Sequence, residues 1–256
     1  MEIKQGLMDK YGLIGKDISY SFSKHYFASK FEREQIGNTS YTNFDSQTIE
    51  EVQEYLLNPK INGFNVTIPY KEVVIPHLDH LDIDARNIGA VNTIKRTQAG
   101  ELIGYNTDYI GFKDSLLEHC EDLLNTLPMP KKALILGTGG ASKAVLYALN
   151  TLGFTCTYVS RSKSDAVISY SDLTTSVIAS HALIVNCTPL GTSPDINAFP
   201  DIPYHYLNES HILYDLIYNP KKTRFLEKGE KQGATIISGF RMLELQAEAS
   251  WEIWNK

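Results

Sequence analysis

Lys132-Ala133-Leu134-Ile135-Leu136-Gly137-Thr138-Gly139-Gly140-Ala141-Ser142-Lys143-Ala144-Val145 reads as a strand, a glycine turn and the opening of a helix. The apolar run Ala133 to Leu136 suits a parallel strand covered on both faces. Glycines let backbone approach a ligand with no Cβ in the way, and the amides that open the helix meet an anion with the positive end of the dipole. A pyrophosphate fits such a turn. The spacing departs from G-x-G-x-x-G, because Ser142 takes the third glycine slot and Ala144 lies two further on. A glycine turn can also be purely structural, so a cofactor role for Gly137, Thr138, Gly139, Gly140 and Ala141 needs support from the rest of the chain.

The C-terminal half supplies that support. Strand patterns at Ala133–Leu136, Thr155–Ser160, Ala182–Asn186, Ile212–Leu216 and Thr235–Ile237 alternate with helical stretches. Such alternation predicts a doubly wound parallel sheet with right-handed crossovers. Asn186-Cys187-Thr188-Pro189-Leu190-Gly191 then falls at the carboxyl end of a buried strand, where these sheets bind ligands, so Thr188 is placed near a nicotinamide. The second strand ends in Ser160-Arg161-Ser162, where an NAD site places an acid to accept from the ribose 2′-hydroxyl. A guanidinium and two hydroxyls there suit a 2′-phosphate, which favours NADP. The other reading of Arg161 is an exposed loop charge.

At 256 residues and 43% hydrophobic, the chain has enough apolar material for one large core or two small ones. Its net charge of −6 comes from scattered charges with no basic stripe, which argues against nucleic acid or an anionic membrane and for a small-molecule partner. Three cysteines far apart, without C-x-x-C spacing, support neither a disulfide framework nor a zinc site, and no metal is expected. Early charges at Glu2, Lys4, Asp9 and Lys10, and the lack of any run of about 18 apolar residues, fit a cytoplasmic enzyme.

Ahead of the glycine turn lies a strand at Tyr11–Gly15, then a loop rich in serine, Ser19-Tyr20-Ser21-Phe22-Ser23, opening a helix to about Arg33. Helix capping needs one hydroxyl, not several. A strand at Tyr41–Phe44 and a helix near Ile49–Leu57 lead to Asn65-Val66-Thr67-Ile68-Pro69-Tyr70-Lys71, read as strand into helix. Period two puts Asn65 and Thr67 on one face, and Pro69 in the first turn places Lys71 at an exposed helix start, against the local dipole, where it calls for an anionic partner unless it is a solvated charge. Gly89-Ala90-Val91-Asn92-Thr93 turns into a hairpin strand, and the return strand Leu102–Tyr105 runs into Asn106-Thr107-Asp108, which either caps a helix to about Leu124 or supplies a functional acid. Leu127-Pro128-Met129-Pro130 reads as a linker edge. Tyr218 follows a strand end and suits equally a packed aromatic or a ligand hydroxyl. In the last helix, Met242, Leu245, Ala249 and Ile253 form the expected core stripe, and a helix after the final strand of such a sheet often crosses back to the first domain, which would put Gln246 near the interdomain cleft.

Together, Ser21-x-Ser23, Asn65-x-Thr67-x-Pro69-x-Lys71, Ala90-Val91-Asn92-Thr93, Asn106-Thr107-Asp108, the glycine turn and Tyr218-Asn219-Pro220 resemble the shikimate dehydrogenase family over nearly the whole chain. The resemblance implies an α/β protein with an N-terminal substrate domain and a Rossmann-like cofactor domain. It places residues 1–107 and 239–256 in the first and 108–238 in the second. It implies NADP-dependent reduction of 3-dehydroshikimate to shikimate in aromatic amino-acid biosynthesis, by a monomer or homodimer. By motif, Lys71 and Asp108 resemble the catalytic pair, and Ser21 and Ser23 the holders of the substrate carboxylate. Thr67, Asn92, Asp108 and Gln246 resemble ligands to the ring hydroxyls, Tyr218 is similar to a tyrosine that closes on substrate, and Gly239 begins the family's final loop.

This chain departs from the family pattern at two places. Ser160-Arg161-Ser162 stands where the family commonly has Asn-Arg-Thr, and Phe240-Arg241 where Leu-Gly is frequent. A quinate/shikimate dehydrogenase using NAD shares almost every motif, although Ser23, in place of a threonine, leans toward shikimate. A non-catalytic nucleotide-binding regulator would keep the fold, and intact Lys71 and Asp108 count against it.

Overall fold

A computed structural model describes residues 8–19 and 21–256; Glu2 and Lys4, among the early charges, lie outside the described residues. The chain forms two compact units, one running to Thr107 and resuming at Ala247–Lys256, the other spanning Asp108–Gln246. The return to the first unit falls inside the last helix, at Ala247, and not at 239.

The first unit contains β1 (Asp9–Gly15), α1 (Phe22–Arg33), β2 (Thr39–Asp45), α2 (Ile49–Leu56), β3 (Gly63–Val66) and α3 (Tyr70–Val73), then β4 (His80–Leu81), α4 (Ile83–Ile88), β5 (Thr93–Arg96) and β6 (Leu102–Tyr105). Its described strands make one sheet in the order β2-β1-β3-β5-β6-β4. β1 runs parallel to β2 and β3, whereas β5 is antiparallel to both β3 and β6. One face is filled by Ile14, Val52, Phe64, Val66, Val74 and Ile94. The other is an aromatic layer in which Tyr11 stacks on Trp254 at 4.7 Å and Phe27 on Tyr41 at 4.4 Å.

The second unit contains α5 (Asp108–Thr126), β7 (Lys131–Leu136), α6 (Gly140–Thr151), β8 (Phe154–Ser160), β9 (Val167–Ser169) and α7 (Thr175–Ala179). β10 (Leu183–Asn186), β11 (Ile212–Asp215), α8 (Arg224–Glu230), β12 (Thr235–Ser238) and α9 (Phe240–Asn255) complete it, α9 being the helix that holds the division. Its sheet has the order β12-β11-β10-β7-β8-β9, and every neighbouring pair is parallel. That is the doubly wound order with the switch between β7 and β10, the crevice where such sheets receive ligands. Ala133, Leu134, Ile135 and Leu136 are fully buried, as expected of a central strand covered by helices on both faces.

Two expectations change, and one strand lay outside them. Leu127–Pro130 joins α5 to β7 inside the second unit and is not a domain edge. The core side of α9 is Met242, Ala247, Ser250 and Trp254, whereas Leu245, Ala249 and Ile253 are only half-buried. The helix serves two cores, and Ser250 occupies a buried position that an apolar pattern cannot register. β9, three half-buried residues at a sheet edge, is too short to produce a periodic signal.

Candidate active site

Strand directions assemble one side of the site. Because β5 runs against β3, its start shares an edge with the carboxyl ends of β1, β3 and β6. That edge carries Ser21 and Ser23 after β1, Thr67 and Lys71 after β3, Asn92 before β5 and Thr107 after β6. Gly15 is required here, since a Cβ on it would stand 2.5 Å from the Thr67 methyl.

Ser21 caps α1, its hydroxyl accepting from the Ser23 amide at 3.2 Å, so the capping reading holds for this serine. The Ser23 hydroxyl tempers the pKa of the Tyr41 phenol, which burial drives far upward. Tyr41 in turn donates to Asn65 Oδ1 at 2.7 Å. Asn65 Nδ2 donates to Ser250 Oγ at 2.9 Å, and Ser250 Oγ lies 2.8 Å from Thr93 Oγ1 and 3.1 Å from Thr107 Oγ1. Asn92 closes the chain, accepting from the Thr107 amide at 2.6 Å while its Nδ2 donates to Thr107 Oγ1 at 3.0 Å. A continuous buried polar network thus joins Tyr41 to Asn92.

Sequence reasoning missed Tyr41, Thr93, Thr107 and Ser250 as parts of this network, and noted Asn65 only for its face. The available signal was the density of Asn and Thr in buried strand termini. Polar groups there must pair with one another or with a ligand, because an unpaired buried one is costly.

Lys71 differs from expectation. Pro69 is the N-cap and not a first-turn residue, and α3 is a single turn of four residues, so Lys71 belongs as much to its last turn as to its first. A one-turn helix has too few aligned peptides for its dipole to explain a cation. Lys71 is half-buried, and its carbonyl accepts from the Val91 amide at 2.7 Å, fixing it against the stretch that carries Asn92.

In the second unit, Gly137 follows β7 with φ +99°, a conformation glycine adopts freely, and a Cβ there would meet Thr188 Cγ2 at 3.1 Å. The loops after β7 and β10 therefore meet at the switch point. Gly139 is the N-cap of α6 and supplies no side chain to its first amides, while Thr138 and Gly139 are not buried. Ser142 is accommodated in the third glycine slot because its hydroxyl folds back onto the Gly139 carbonyl at 2.7 Å, and Tyr158 of β8 donates to its carbonyl at 3.2 Å.

Ser160 ends β8, opposite Ser169 of β9. Arg161 and Ser162 are exposed, and among the described residues Arg161 forms no ion pair, while Lys163 is held by Asp172 at 3.3 Å. Open glycine amides, a side-chain-free cap and an uncommitted guanidinium fit a dinucleotide bearing a 2′-phosphate.

Thr188 is pinned by Asn186 Oδ1, which accepts from its amide at 3.0 Å and its hydroxyl at 2.6 Å. Asn186 Nδ2 donates to Asp215 Oδ1 at 3.0 Å. Tyr218 is half-buried in the loop after β11. Gly239 follows β12, its amide donating to the Ile217 carbonyl at 3.2 Å, and a Cβ would press on the Asp215 carbonyl at 3.0 Å. The unusual Arg241 makes a two-pronged contact with Glu118 of α5, at 2.7 and 3.0 Å, so that departure serves helix packing. Asp108 opens α5 and is buried, and Gln246 closes the unit with its amide on the Leu243 carbonyl at 2.9 Å. The three cysteines are unpaired, and burial pushes the Cys120 and Cys156 thiols up to about 11 and about 12, so neither is a ready thiolate at neutral pH.

A doubly wound dinucleotide unit joined to a second α/β unit with a polar strand edge defines a nucleotide-dependent oxidoreductase of the two-domain kind. The model of the shikimate dehydrogenase substrate binding domain matches residues 13–94. The shikimate dehydrogenase (NADP+) of Methanococcus maripaludis strain C6 is 38% identical over 95% of this chain and 90% of its own. A crystal structure of shikimate dehydrogenase in complex with NADP+ superposes with a TM-score of 0.86 at 31% identity, covering 96% of this chain and 90% of that one. The enzyme of Thermus thermophilus in complex with NADP(H) and shikimate gives 0.83 at 29% identity, covering 96% and 93%. This chain belongs to the shikimate dehydrogenase family.

Proposed function

We propose that this chain catalyses the reversible NADP-dependent reduction of 3-dehydroshikimate to shikimate, a step toward chorismate and the aromatic amino acids. It does so as a cytoplasmic monomer or homodimer. The observation that carries the substrate assignment is the strand edge of the first unit, to which four separate strand ends bring Ser21, Ser23, Thr67, Lys71, Asn92 and Thr107. Ser21 and Ser23 hold the substrate carboxylate, and Thr67, Asn92, Asp108 and Gln246 bind its ring hydroxyls. Tyr218 closes on the bound substrate.

NADPH, when bound, supplies the hydride. Gly137, Thr138, Gly139, Gly140 and Ala141 would hold its pyrophosphate, Ser160, Arg161 and Ser162 its 2′-phosphate, and Thr188 and Gly239 its nicotinamide end. Lys71 donates a proton to the carbonyl oxygen as that oxygen gains charge, and takes it back in the reverse direction. The ammonium also stabilises the developing alkoxide, a task that needs no metal. Asp108 is the acidic partner of Lys71 in the reaction.

The test is to incubate purified protein with 3-dehydroshikimate and NADPH and identify the product by NMR. Stoichiometric shikimate is expected. No consumption of NADPH at high enzyme concentration contradicts the assignment.

A further inference from the structure

Asp215, a carboxylate with no exposed surface at the carboxyl end of β11, has no part in the catalytic and binding roles assigned to the substrate and cofactor residues. Its Oδ1 accepts from Asn186 Nδ2 at 3.0 Å and from the Ile217 amide at 3.1 Å, and its Oδ2 accepts from Thr223 Oγ1 at 2.5 Å. Thr223 and Asn186 are as deeply buried, at 1% and 0% exposure. The Asn186 amide then holds both the Thr188 backbone and the Thr188 hydroxyl through its oxygen. One side-chain chain, Thr188 to Asn186 to Asp215 to Thr223, therefore bridges two loops. The first carries Thr188, and the second, from Leu216 to Thr223, carries Tyr218.

Burying an ion costs several kcal/mol unless it is well paired, and a Leu here would avoid that cost. The penalty is visible in Asp215 itself, whose pKa burial raises to about 6 despite its three donors. A group kept at such expense has a geometric task. A carboxylate accepts from several directions at once, which is what tying the entry and exit of one loop to the root of another requires.

We propose that Asp215 is a positioning residue for hydride transfer, holding the Tyr218 loop in register with the Thr188 loop through Asn186 and Thr223. This rests on the assignment of Tyr218 to substrate and Thr188 to cofactor. Loosening the clamp changes the relative placement of reacting groups while leaving the glycine turn intact, so it lowers turnover more than cofactor affinity.

The experiment compares Asp215→Ala, Thr223→Val and the conservative Asp215→Asn with wild type, all as full-length protein. Asp215→Ala breaks the clamp and spares the Thr223 hydroxyl that caps α8, whereas Thr223→Val removes both contacts. Both are expected to lower kcat for shikimate about 10- to 100-fold. NADP Kd should stay within about threefold, and amide exchange of residues 187–192 and 216–222 should rise together while β7 and β10 stay protected. Asp215→Asn, which still accepts from Ile217 and Asn186 and can donate to Thr223, should recover most of the turnover. Folded Asp215→Ala with kcat within threefold of wild type overturns the proposal, as does exchange that rises in only one loop. Wild-type protein that fails to oxidise shikimate with NADP sinks the functional reading instead, and the exchange data still decide whether Asp215 couples the loops.

Discussion

Asn92→Ala probes the network at its best-defined point. Asn92 is 2% exposed; its Oδ1 accepts from the Thr107 amide at 2.6 Å and from Thr93 Oγ1 at 3.0 Å, and its Nδ2 donates to Thr107 Oγ1 at 3.0 Å. The two hydroxyls have an alternative in Ser250, at 2.8 and 3.1 Å, and re-pair at little cost. The Thr107 amide has none, and a buried orphan N–H costs about 1–3 kcal/mol. Adding the lost donor gives an expected destabilisation of about 2–3 kcal/mol, a fall in midpoint of roughly 8–20 °C for a unit of about 100 residues. The chain's two tryptophans, Trp251 and Trp254, both belong to the first unit. Urea unfolding followed by tryptophan fluorescence therefore reports that unit. The variant should also bind shikimate more weakly, by calorimetry on the fraction still folded. A loss below about 0.5 kcal/mol would refute the claim that this network is tightly satisfied, because only a relaxed or water-paired Thr107 amide escapes the penalty.

Lys71→Ala should cut kcat by about 100-fold or more with KM for shikimate changed far less, and turnover within threefold of wild type would exclude the proton-transfer role. Ser23→Ala should raise KM for shikimate about 10- to 100-fold, as expected for one hydrogen bond to a charged group, whereas Ser21→Ala should also cost α1 about 1 kcal/mol as a lost cap; steady-state kinetics and thermal melts separate the two. Arg161→Ala should weaken NADP by about 1.5–3 kcal/mol and leave NAD nearly untouched, and equal weakening of both by fluorescence titration would return Arg161 to a loop charge. The Asp215 carboxyl is raised from 3.8 to about 6, so between those values the folded state holds the proton and the unfolded state does not. Its contribution is thus fully present below about pH 4 and is lost as pH rises through about 6, by up to about 3 kcal/mol. Asp215→Asn should flatten that slope in urea midpoints followed by circular dichroism, and an unchanged slope would mean another group titrates.

The parallel sheet was legible because its central strands are unbroken apolar runs alternating with helical stretches, and a glycine turn closes the first; Ala133–Leu136 and Leu183–Asn186 need no tertiary information to be read. The edge elements were not. β9 and the β4–α4 segment are too short to show a period, and the division within α9 depends on which core Ala247 and Trp254 enter. At the site, residues with chemistry in their type, such as Lys71 and Arg161, stood out in the sequence. Ser250 and Tyr41 did not, because a lone serine on a helix and a tyrosine in a strand read as filler until the fold brings them to Asn65. Asp215 was hidden for the opposite reason. It sits in an apolar strand as a single acid, and only the approach of Asn186 and Thr223, from elsewhere in the chain, reveals a clamp.

Substrate and cofactor choice are decided together by kcat/KM for oxidation of shikimate and of quinate, each with NADP and with NAD, on one preparation of wild-type protein. Shikimate with NADP is expected to be the preferred combination, with quinate poor under either cofactor and NAD weaker by the factor that Arg161 supplies. A preference for NAD, or quinate turned over as well as shikimate, would contradict the assignment.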